Sequence, residues 1–380
     1  MPVQTTNSIQ TSLPGLQAAA DFQSWLIASG VLIHSDSNSG FEIAHSNVVV
    51  LDYGNISSFS GSGVSIASSQ SGNFLLNAVG ASISGLDGID DNGNGDTLVN
   101  DGSVVGSHGV GVSLVGGGDL IHNSGSIYGP TAGVWDDSFV SGGSTIVNTG
   151  EIQSADLGVF VETNVGFITT IINSGTIEGD SFSIQSNLGA VHLKNSGLLV
   201  GDVSFDTTEN DTFLNSGHVQ GSVSLGGGND TYNGSGGGVV DGTVFGGDGN
   251  DRLIGGARND SLSGGPGNDT LTGGGGHNEF IFDAALGPSN IDTITDFAPS
   301  RDVISLSHAI FTHTNAFGTL AASMFFEGAA AHDASDRIIY NPANGFVTYD
   351  SNGNHPGGAI HFATLADHLT LTHADFLVVA

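Results

Sequence analysis

The amino-acid sequence predicts an all-β protein: a right-handed parallel β-helix that continues into a parallel β-roll, followed by a β-rich C-terminal cap. Glycine supplies 61 of the 380 residues without a collagen-like period, so the glycines are expected in the turns of a repetitive structure. Two tandem repeats of different length follow one another along the chain. Repeats of this kind stack as the coils of a solenoid.

The longer repeat has the form Asn-x-Gly-x-Ile/Val, and its copies begin 20–25 residues apart, which is the length of one β-helix coil. Stacked Asn side chains can hydrogen-bond from coil to coil, and the glycine allows a left-handed turn residue. The Ile or Val should point inward, so we expect one internal ladder that contains Ile56, Ile127, Ile152 and Ile177. The copies are DYGNI (52–56), a looser copy from Asn77, NDGSV (100–104), NSGSI (123–127), NTGEI (148–152), NSGTI (173–177), NSGLL (195–199) and NSGHV (215–219).

The segment before this repeat is expected to cap the open end of the β-helix. Leu16, Ala19, Phe22, Trp25 and Leu26 have a helical spacing, which predicts a short capping helix. The first residues lack the basic and apolar parts of a Sec signal, and no apolar run is long enough to predict a membrane span. The resulting boundaries are 1–45 for the N-terminal cap and 46–225 for the β-helix.

The shorter repeat is sharper, because period, glycines, aspartate and apolar position all recur in register. Its four copies match G-G-x-G-x-D-x-U-x, where U is a large apolar residue, a known signature of Ca²⁺-binding parallel β-rolls. Two copies make one 18-residue coil, so Asp251 and Asp269 should share one edge, and Asp260 and Asn278 the other. Leu253, Leu262, Leu271 and Phe280 should point inward. The copies are GGDGNDRLI (246–254), GGARNDSLS (255–263), GGPGNDTLT (264–272) and GGGGHNEFI (273–281).

The roll, assigned to residues 226–283, is the predicted Ca²⁺ site. Ca²⁺ binds six to eight oxygen ligands, which glycine carbonyls and aspartate carboxylates of two stacked turns can supply together. LGGGNDTYN and TENDTFLN place Asp230 and Asp211 about one coil earlier on the Asp251 edge, whereas Arg258 and Asn278 depart from the pattern and should weaken the Asp260 edge. The predicted ligand set is Gly226, Gly228, Asp230, Gly246, Gly247, Gly249, Asp251, Gly255, Asp260, Gly264, Gly265, Gly267, Asp269, Gly273, Gly274 and Asn278.

Two other loops carry closely spaced carboxylates and amides. Asp90, Asn92 and Asn94 are followed by Gly95 and Asp101, a spacing similar to that of an EF-hand loop, but within the β-helix. A solvated turn is the favoured interpretation, and a metal site is the alternative. Asp350, Asn352 and Asn354 allow the same two interpretations.

The nonapeptides, together with IDTITDFAPSRDVISL (291–306) and RIIYNPANGFVTYDSNGN (337–354), resemble the RTX family of type I secreted proteins over residues 208–380. In serralysin-like members an Asp-x-Ile-x-Asp-Phe segment contributes to Ca²⁺ binding, which implies Asp292, Asp296 and Asp302 here. Residues 284–380 would form the RTX-associated C-terminal region. Within it, Asp375, Phe376, Leu377 and Val378 resemble the family's export signal, which implies a type I exporter as partner, a Gram-negative host and an extracellular or cell-surface location.

The charge and the cysteine content agree with an extracellular location. Lys plus Arg total 5 against 38 acidic residues, and the first fixed cation is Lys194. Nucleic acids and other polyanions are therefore poor partners, whereas divalent cations are natural counter-ions. The absence of cysteine excludes disulfides and thiolate metal sites. Low cytosolic Ca²⁺ would leave the acidic repeats unfolded, and external Ca²⁺ would fold them.

Enzyme motifs decide between two functional hypotheses. The sequence contains no His-Glu-x-x-His zinc motif and no G-x-S-x-G elbow. Alginate epimerases combine a β-helix with an RTX module, but Lys194 alone cannot hold uronate carboxylates. Aligning GVWDD (133–137) with GVFVE (158–162) places Trp135 on Phe160 and Asp137 on Glu162, facing outward, a conceivable platform for glycans or a neutral-sugar hydrolase. Exposed decoration is favoured, so we expect a noncatalytic structural or surface-interaction protein, with a carbohydrate-active enzyme as the alternative.

Overall fold

The computed structural model describes residues 3–4, 8–11, 16–18, 23–36, 38–139 and 142–380, and its strands are numbered β1 to β43 in chain order. These residues contain no α-helix, and the short 3₁₀ helices are Ala322–Met324 and His373–Asp375. No helix in the described part is long and apolar enough to cross a membrane. The chain divides into two compact units: unit 1 is Met1–Glu209 with Gly217–Gly221, and unit 2 is Asn210–Ser216 with Ser222–Ala380.

Unit 1 is a parallel β-helix whose strands stack in three columns, one strand per column in most coils. Column 1 contains β1 (Val3–Gln4), β4 (Ser24–Ile27), β7 (Val49–Asp52), β10 (Phe74–Asn77), β13 (Thr97–Asn100), β16 (Leu120–Asn123), β19 (Thr145–Asn148), β22 (Ile168–Asn173) and β24 (Ala190–Asn195). Column 2 contains β2 (Ser8–Thr11), β5 (Leu32–Ser35), β8 (Asn55–Ser58), β11 (Ser82–Gly85), β14 (Ser103–Gly106), β17 (Ser126–Tyr128), β20 (Glu151–Ser154) and β27 (His218–Gln220). Column 3 contains β3 (Leu16–Ala18), β6 (Phe41–Ile43), β9 (Val64–Ile66), β12 (Ile89–Asp91), β15 (Val110–Leu114), β18 (Ala132–Asp136) and β21 (Leu157–Val161). The long strands β23 (Thr176–Ser186) and β25 (Leu198–Phe205) run through columns 2 and 3.

Column 2 carries the predicted apolar ladder. Ile127 pairs with Ile152, and Ile152 pairs with Ile177 in the next coil, and all three side chains are fully buried. Ile56, also fully buried, joins the same ladder through the paired residues of β11 and β14. Because strand residues alternate between the two faces of a sheet, an apolar residue at the same place in every coil forms a continuous core. The prediction of this ladder is confirmed.

Asparagines at the ends of the column 1 strands form a second ladder, in which each side-chain amide donates a hydrogen bond to the side-chain oxygen of the Asn one coil later. These side chains are buried, so the hydrogen bonds satisfy polar groups that water cannot reach. The predicted coil-to-coil stacking is therefore confirmed. The pairs are Asn77 to Asn100 (2.7 Å), Asn100 to Asn123 (2.7 Å), Asn123 to Asn148 (2.8 Å), Asn148 to Asn173 (2.8 Å) and Asn173 to Asn195 (2.9 Å).

The predicted N-terminal capping helix is wrong. Leu16–Ala18 and Ser24–Ile27 are strands, and β4 pairs in parallel with β7. The other residues of the proposed helix include 19–22, which lie outside the described residues. The Trp25 ring packs against Phe41 with a centroid distance of 5.6 Å. Apolar residues spaced three apart are compatible both with a helix and with short strands separated by a turn. Hydrogen bonds to the following coil stabilise the strand here.

Unit 2 begins as a roll of short parallel strands in two columns. Leu253 pairs with Leu271 and Leu262 with Phe280, so coils of 18 residues stack in register. All four side chains are fully buried, which confirms their predicted inward orientation. Column A contains β26 (Thr212–Asn215), β29 (Thr231–Asn233), β32 (Arg252–Ile254), β34 (Thr270–Thr272) and β36 (Asp292–Ile294). Column B contains β28 (Val223–Ser224), β31 (Thr243–Phe245), β33 (Ser261–Ser263), β35 (Glu279–Phe282) and β37 (Val303–Ser307), and β30 (Val239–Val240) precedes β31.

The end of unit 2 is a β-rich cap. β36 pairs in parallel with β42 (Ala359–Thr364). β42 pairs antiparallel with β41 (Phe346–Asp350), and β41 pairs antiparallel with β40 (Ile338–Asn341). Phe362 packs edge-on against Phe282 and Phe311, at centroid distances of 5.1 Å in both cases, which gives the cap an aromatic core. Its strands are β38 (Gly318–Thr319), β39 (Phe325–Glu327), β40 (Ile338–Asn341), β41 (Phe346–Asp350), β42 (Ala359–Thr364) and β43 (Phe376–Val379).

Candidate calcium-binding site

The turns between the roll strands require glycine for backbone reasons. Gly265 and Gly267 have φ angles of 99° and 152°, which other residues rarely adopt. A Cβ atom on either would overlap a glycine carbonyl oxygen of the preceding coil. Equivalent positive φ angles occur at Gly226, Gly228, Gly247, Gly249 and Gly274. The predicted glycines thus bring backbone carbonyls of stacked turns close together.

The first glycine of each repeat is needed for a different reason. A Cβ atom on Gly264 would collide with the carboxylate of Asp269, the acidic residue of the same repeat. Each carboxylate or amide is therefore folded back over its own turn rather than directed into solvent. The same relationship holds for Gly246 with Asp251, Gly255 with Asp260 and Gly273 with Asn278.

Aspartates on the column A edge form a continuous ladder. The backbone N–H of each one donates a hydrogen bond to Oδ1 of the aspartate in the next coil. The structure thus places Asp251 and Asp269 on one edge, as the 18-residue spacing predicts, and adds Asp211 and Asp230 before them and Asp292 after them. The pairs are Asp211 to Asp230 (2.7 Å), Asp230 to Asp251 (2.8 Å), Asp251 to Asp269 (2.8 Å) and Asp269 to Asp292 (3.1 Å).

Three aspartates of this ladder have a second carboxylate oxygen without a hydrogen-bond partner in the protein. Oδ2 of Asp230, Asp251 and Asp269 is buried and accepts no hydrogen bond. A buried charged oxygen without a partner carries a large free-energy cost. Carboxylate and carbonyl oxygens, without nitrogen or sulfur donors, are the ligands of a hard cation such as Ca²⁺. The donor set of this edge therefore fits Ca²⁺.

The ladder carboxyls resist ionisation when no cation is bound. Burial raises the pKa of Asp230 to about 8, that of Asp251 to about 7 and that of Asp269 to about 6. The charges of Asp211 and Asp251 raise the pKa of Asp230 further, while the hydrogen bond from the Asp211 backbone lowers it. Near neutral pH Asp230 therefore holds a proton and Asp251 is partly protonated, and a bound cation would displace these protons.

The opposite edge is built differently, although its predicted members are also brought together. The Asp260 backbone N–H donates to Oδ1 of Asn278 at 3.1 Å, and the Asn278 N–H donates to Oδ1 of Asp302 at 3.0 Å. Oδ2 of Asp260 accepts the Gly256 N–H at 2.7 Å, so it is already satisfied. At Asn278 the buried, unpartnered atom is Nδ2, a donor that cannot bind a cation. This edge offers fewer free oxygens than the Asp251 edge.

Comparison with known protein families agrees with this geometry. Residues 245–280 match the family model of the RTX calcium-binding nonapeptide repeat, in four copies. The chain contains RTX calcium-binding nonapeptide repeats. No curated protein matches it. The matched RTX repeats contain Asp251 and Asp269, whereas Asp211, Asp230 and Asp292 extend the same ladder beyond the matched residues.

The segment after the RTX repeats, whose three acidic residues were expected to bind Ca²⁺, places them in different roles. Burial and the Asp269 charge raise the pKa of Asp292 to about 8, as expected for a ladder member. The carboxylate of Asp296 accepts the Gly273 and Gly274 N–H groups at 2.8 and 2.7 Å. Both oxygens of Asp302 accept backbone N–H groups, from Asn278 and Ala298. Only Asp292 lies on the edge with unpartnered oxygens.

A row of asparagines runs alongside the RTX aspartates, and it was not predicted from the sequence. Its signal was available, since an Asn precedes the Asp of most repeats. Here too a backbone N–H donates to the side-chain oxygen of the neighbouring coil, which fixes the register of the turns. The backbone N–H donates to the Oδ1 atom of an Asn one coil earlier in each case. The donor and acceptor pairs are Asn229 to Asn210 (2.6 Å), Asn250 to Asn229 (2.9 Å), Asn268 to Asn250 (2.9 Å) and Ile291 to Asn268 (3.0 Å).

The surface proposed to bind glycans, formed by Trp135, Asp137, Phe160 and Glu162, is only partly exposed to solvent. Trp135 pairs with Phe160 across β18 and β21, and their ring centroids are 5.3 Å apart. Phe160 is only 9% exposed, so it does not face outward freely as expected. Burial and then the Glu162 charge raise the pKa of Asp137. A sugar-binding or catalytic role for these residues stays a prediction.

The two other carboxylate loops form local turns. Asp90 accepts a hydrogen bond from the Asn92 side chain at 2.9 Å, and Asp101 accepts one from Ser124 at 2.6 Å. Asp90 and Asp101 thus have separate partners rather than a shared EF-hand-like centre. In the second loop, Oδ1 of Asp350 accepts the Asn352 N–H at 3.1 Å.

The segment resembling an export signal is part of the folded cap. Both oxygens of Asp375 accept hydrogen bonds, from Ser300 N–H at 2.7 Å and from Thr372 N–H at 2.7 Å. Phe376 and Val378 are buried, and β43 pairs in parallel with β37. These residues are therefore hidden from a protein partner in the folded state.

Proposed function

We propose that the chain is a secreted Ca²⁺-binding RTX protein whose roll folds outside the cell when Ca²⁺ binds, and that it has a noncatalytic structural or surface-interaction role. The observation that supports this most directly is the row of buried, unpartnered Oδ2 atoms on Asp230, Asp251 and Asp269. Without a cation these carboxyls must hold protons or repel one another. With Ca²⁺ between the turns, the same groups link successive coils.

Export before folding gives the C-terminal segment a consistent role. Asp375 and Phe376 are buried in the folded cap, so an exporter could contact them only in an unfolded chain. Low Ca²⁺ inside the cell would keep the roll unfolded, and high Ca²⁺ outside would drive folding by mass action. The formal net charge of −33 favours the unfolded chain further when cations are scarce.

A matched pair of variants tests the Ca²⁺ sites. Asp269→Asn removes a charged, unpartnered oxygen and should lower the Ca²⁺ affinity and the number of bound ions. Asp260→Asn makes the same chemical change where Oδ2 is already hydrogen-bonded to Gly256, and it should have a smaller effect. Isothermal titration calorimetry and native mass spectrometry measure both quantities. Equal effects of the two variants would contradict the assignment of the Asp251 edge as the binding edge.

A carbohydrate-active enzyme is the second candidate, favoured by the aromatic pair Trp135 and Phe160 beside Asp137 and Glu162. Glycan arrays and reducing-sugar assays in the presence of Ca²⁺ test it. Asp137→Asn and Glu162→Gln keep the size of each side chain but remove the charge that acid-base catalysis needs. A polysaccharide that the parent protein cleaves and either variant does not would establish the enzyme.

A further inference from the structure

We propose that unit 1 contains its own Ca²⁺ site, separate from the RTX repeats and formed by the carboxylates of Asp91, Asp96 and Asp119. Asp91 is the last residue of β12, and Asp96 and Asp119 directly precede β13 and β16 in successive coils. All three side chains are at most 4% exposed. One carboxylate oxygen of each lies within 4.8 Å of the others.

The spacing of these oxygens suits a shared cation. Ca²⁺ binds oxygen at about 2.3 to 2.6 Å, so two ligands on opposite sides of one ion are about 5 Å apart. Three oxygens within 4.8 Å of one another can therefore bind the same ion. The set contains no nitrogen or sulfur donor, and Ca²⁺ tolerates irregular, largely dehydrated oxygen sites better than Mg²⁺ does.

An unpartnered oxygen provides independent support. Oδ1 of Asp96 accepts the Asn73 N–H at 2.6 Å, but Oδ2 of Asp96 is buried without a hydrogen-bond partner. A Cβ atom on Gly93 would overlap this Oδ2 atom and would lie 3.1 Å from Oδ1 of Asp91. The two oxygens thus lie beside Gly93, whose N–H donates to Oδ1 of Asp91 at 2.9 Å, and a side chain at position 93 would displace them.

The backbone around the triad repeats the design of the RTX ladder. The Asp96 N–H donates to Oδ1 of Asp119 at 2.8 Å, as the Asp251 N–H donates to Oδ1 of Asp269. The sequence Asp-Thr-Leu at Asp96 follows glycines and leads into a strand, as it does at Asp269. The unit 1 site nevertheless lies outside residues 245–280, which match the nonapeptide model.

Unit 1 has little positive charge with which to neutralise the triad. Residues 1–193 contain no Lys or Arg. Burial and the charges of Asp119 and Asp96 raise the pKa of Asp91 well above its ordinary value, and burial raises that of Asp119 to about 6. The ionised triad is therefore unstable by itself, and a divalent cation would compensate the charges.

The variant Asp96→Asn tests the site in the full-length protein. Asn73 already occupies the corresponding ladder position and accepts the Val48 N–H through its side-chain oxygen at 2.9 Å, so an Asn at position 96 is compatible with the fold. Native mass spectrometry should show one bound Ca²⁺ fewer than in the parent protein. Asp180→Asn, which makes the same change at an exposed position of unit 1, should leave the ion count unchanged.

Hydrogen exchange localises the effect along the chain. Adding Ca²⁺ to the parent protein should slow exchange in peptides that cover residues 91–119, and Asp96→Asn should abolish this slowing. Unchanged exchange in these peptides, or an unchanged ion count in a folded Asp96→Asn variant, would overturn the proposal. Peptides from the RTX roll are read separately, so failure of the roll sites and failure of this site are distinguishable.

Discussion

The backbone N–H of Asp251 donates a 2.8 Å hydrogen bond to Oδ1 of Asp269, while Oδ2 of both residues is buried without a partner. One oxygen of each carboxylate thus holds neighbouring coils in register, and the other is left for a proton or a cation. Without Ca²⁺, the ladder can form only if its carboxyls are protonated or if the folded state is stable enough to overcome repulsion between ionised carboxylates. Ca²⁺ binding, protonation and stability of the roll are therefore linked.

This linkage predicts an unusual pH dependence for the Ca²⁺-free roll. The pKa values of Asp230 and Asp251 are raised to about 8 and about 7, from 3.8 in an unfolded chain, so the folded state binds protons more tightly. Stability without Ca²⁺ should therefore be greatest below about pH 4 and decrease as the pH rises towards about 8. Hydrogen exchange of residues 226–302 in Ca²⁺-free buffer measures it. A Ca²⁺-free roll more stable at about pH 8 than at about pH 5 would contradict the ladder's protonation.

The start of the asparagine ladder predicts a stabilising substitution. Asp52 pairs with Asn77, and Oδ2 of Asp52 and Oδ1 of Asn77 are both buried without a hydrogen bond. Asp52→Asn would supply a donor for Asn77 and should raise the stability of unit 1 by about 1 kcal/mol. Burial raises the pKa of Asp52 to about 7, so the gain should be larger above neutral pH than below it. Thermal unfolding measured once above and once below neutral pH tests this, with Asp180→Asn as the control. A destabilised Asp52→Asn variant would disprove the prediction.

The apolar ladder predicts a strong contrast between neighbouring residues. Ile152 is fully buried, so Ile152→Asp would bury an unpaired carboxylate and should cost several kcal/mol, enough to unfold neighbouring coils. Glu151 is exposed, and Glu151→Gln should be close to neutral. Denaturant unfolding followed by circular dichroism compares them. Similar midpoints for the two variants would mean that the column 2 ladder does not stabilise the β-helix.

The sequence was most informative where a repeat imposes the same environment many times. The inward positions of Ile152 and Leu271, the 18-residue register and the Asp251 edge all followed from repeat spacing. The capping helix failed because five apolar residues without a repeat cannot distinguish a helix from strands, and pairing between coils decided the outcome.

The unit 1 triad shows a second limit of sequence reasoning. The spacing of Asp90, Asn92 and Asn94 suggested an EF-hand-like loop, but alternation along β12 turns Asp91 inward and leaves Asp90 half-buried. Asp119 lies 23 residues after Asp96 and meets it only because the coils stack. Such a contact depends on tertiary structure and not on a local motif.

Export should depend on the segment that begins at Asp375. Deletion of residues 375–380 should leave the protein inside a Gram-negative host that carries a matched type I exporter. Because this deletion also removes β43, Phe362→Asp serves as the control, since it disrupts the cap but keeps the segment. The control should still be exported if the exporter acts on the unfolded chain. Normal secretion of the deletion variant would refute the export-signal prediction.

Hydrogen exchange across residues 208–306, measured with millimolar Ca²⁺ and with EGTA, tests the Ca²⁺-dependent folding of the RTX roll most directly. We expect strong, cooperative protection of the β29, β32, β34 and β36 amides with Ca²⁺, because ions between the turns replace repulsion among Asp230, Asp251 and Asp269 by shared coordination. EGTA should remove this protection while the β-helix amides of column 2 in unit 1 remain protected. Identical exchange of the roll in the two buffers would contradict Ca²⁺-dependent folding.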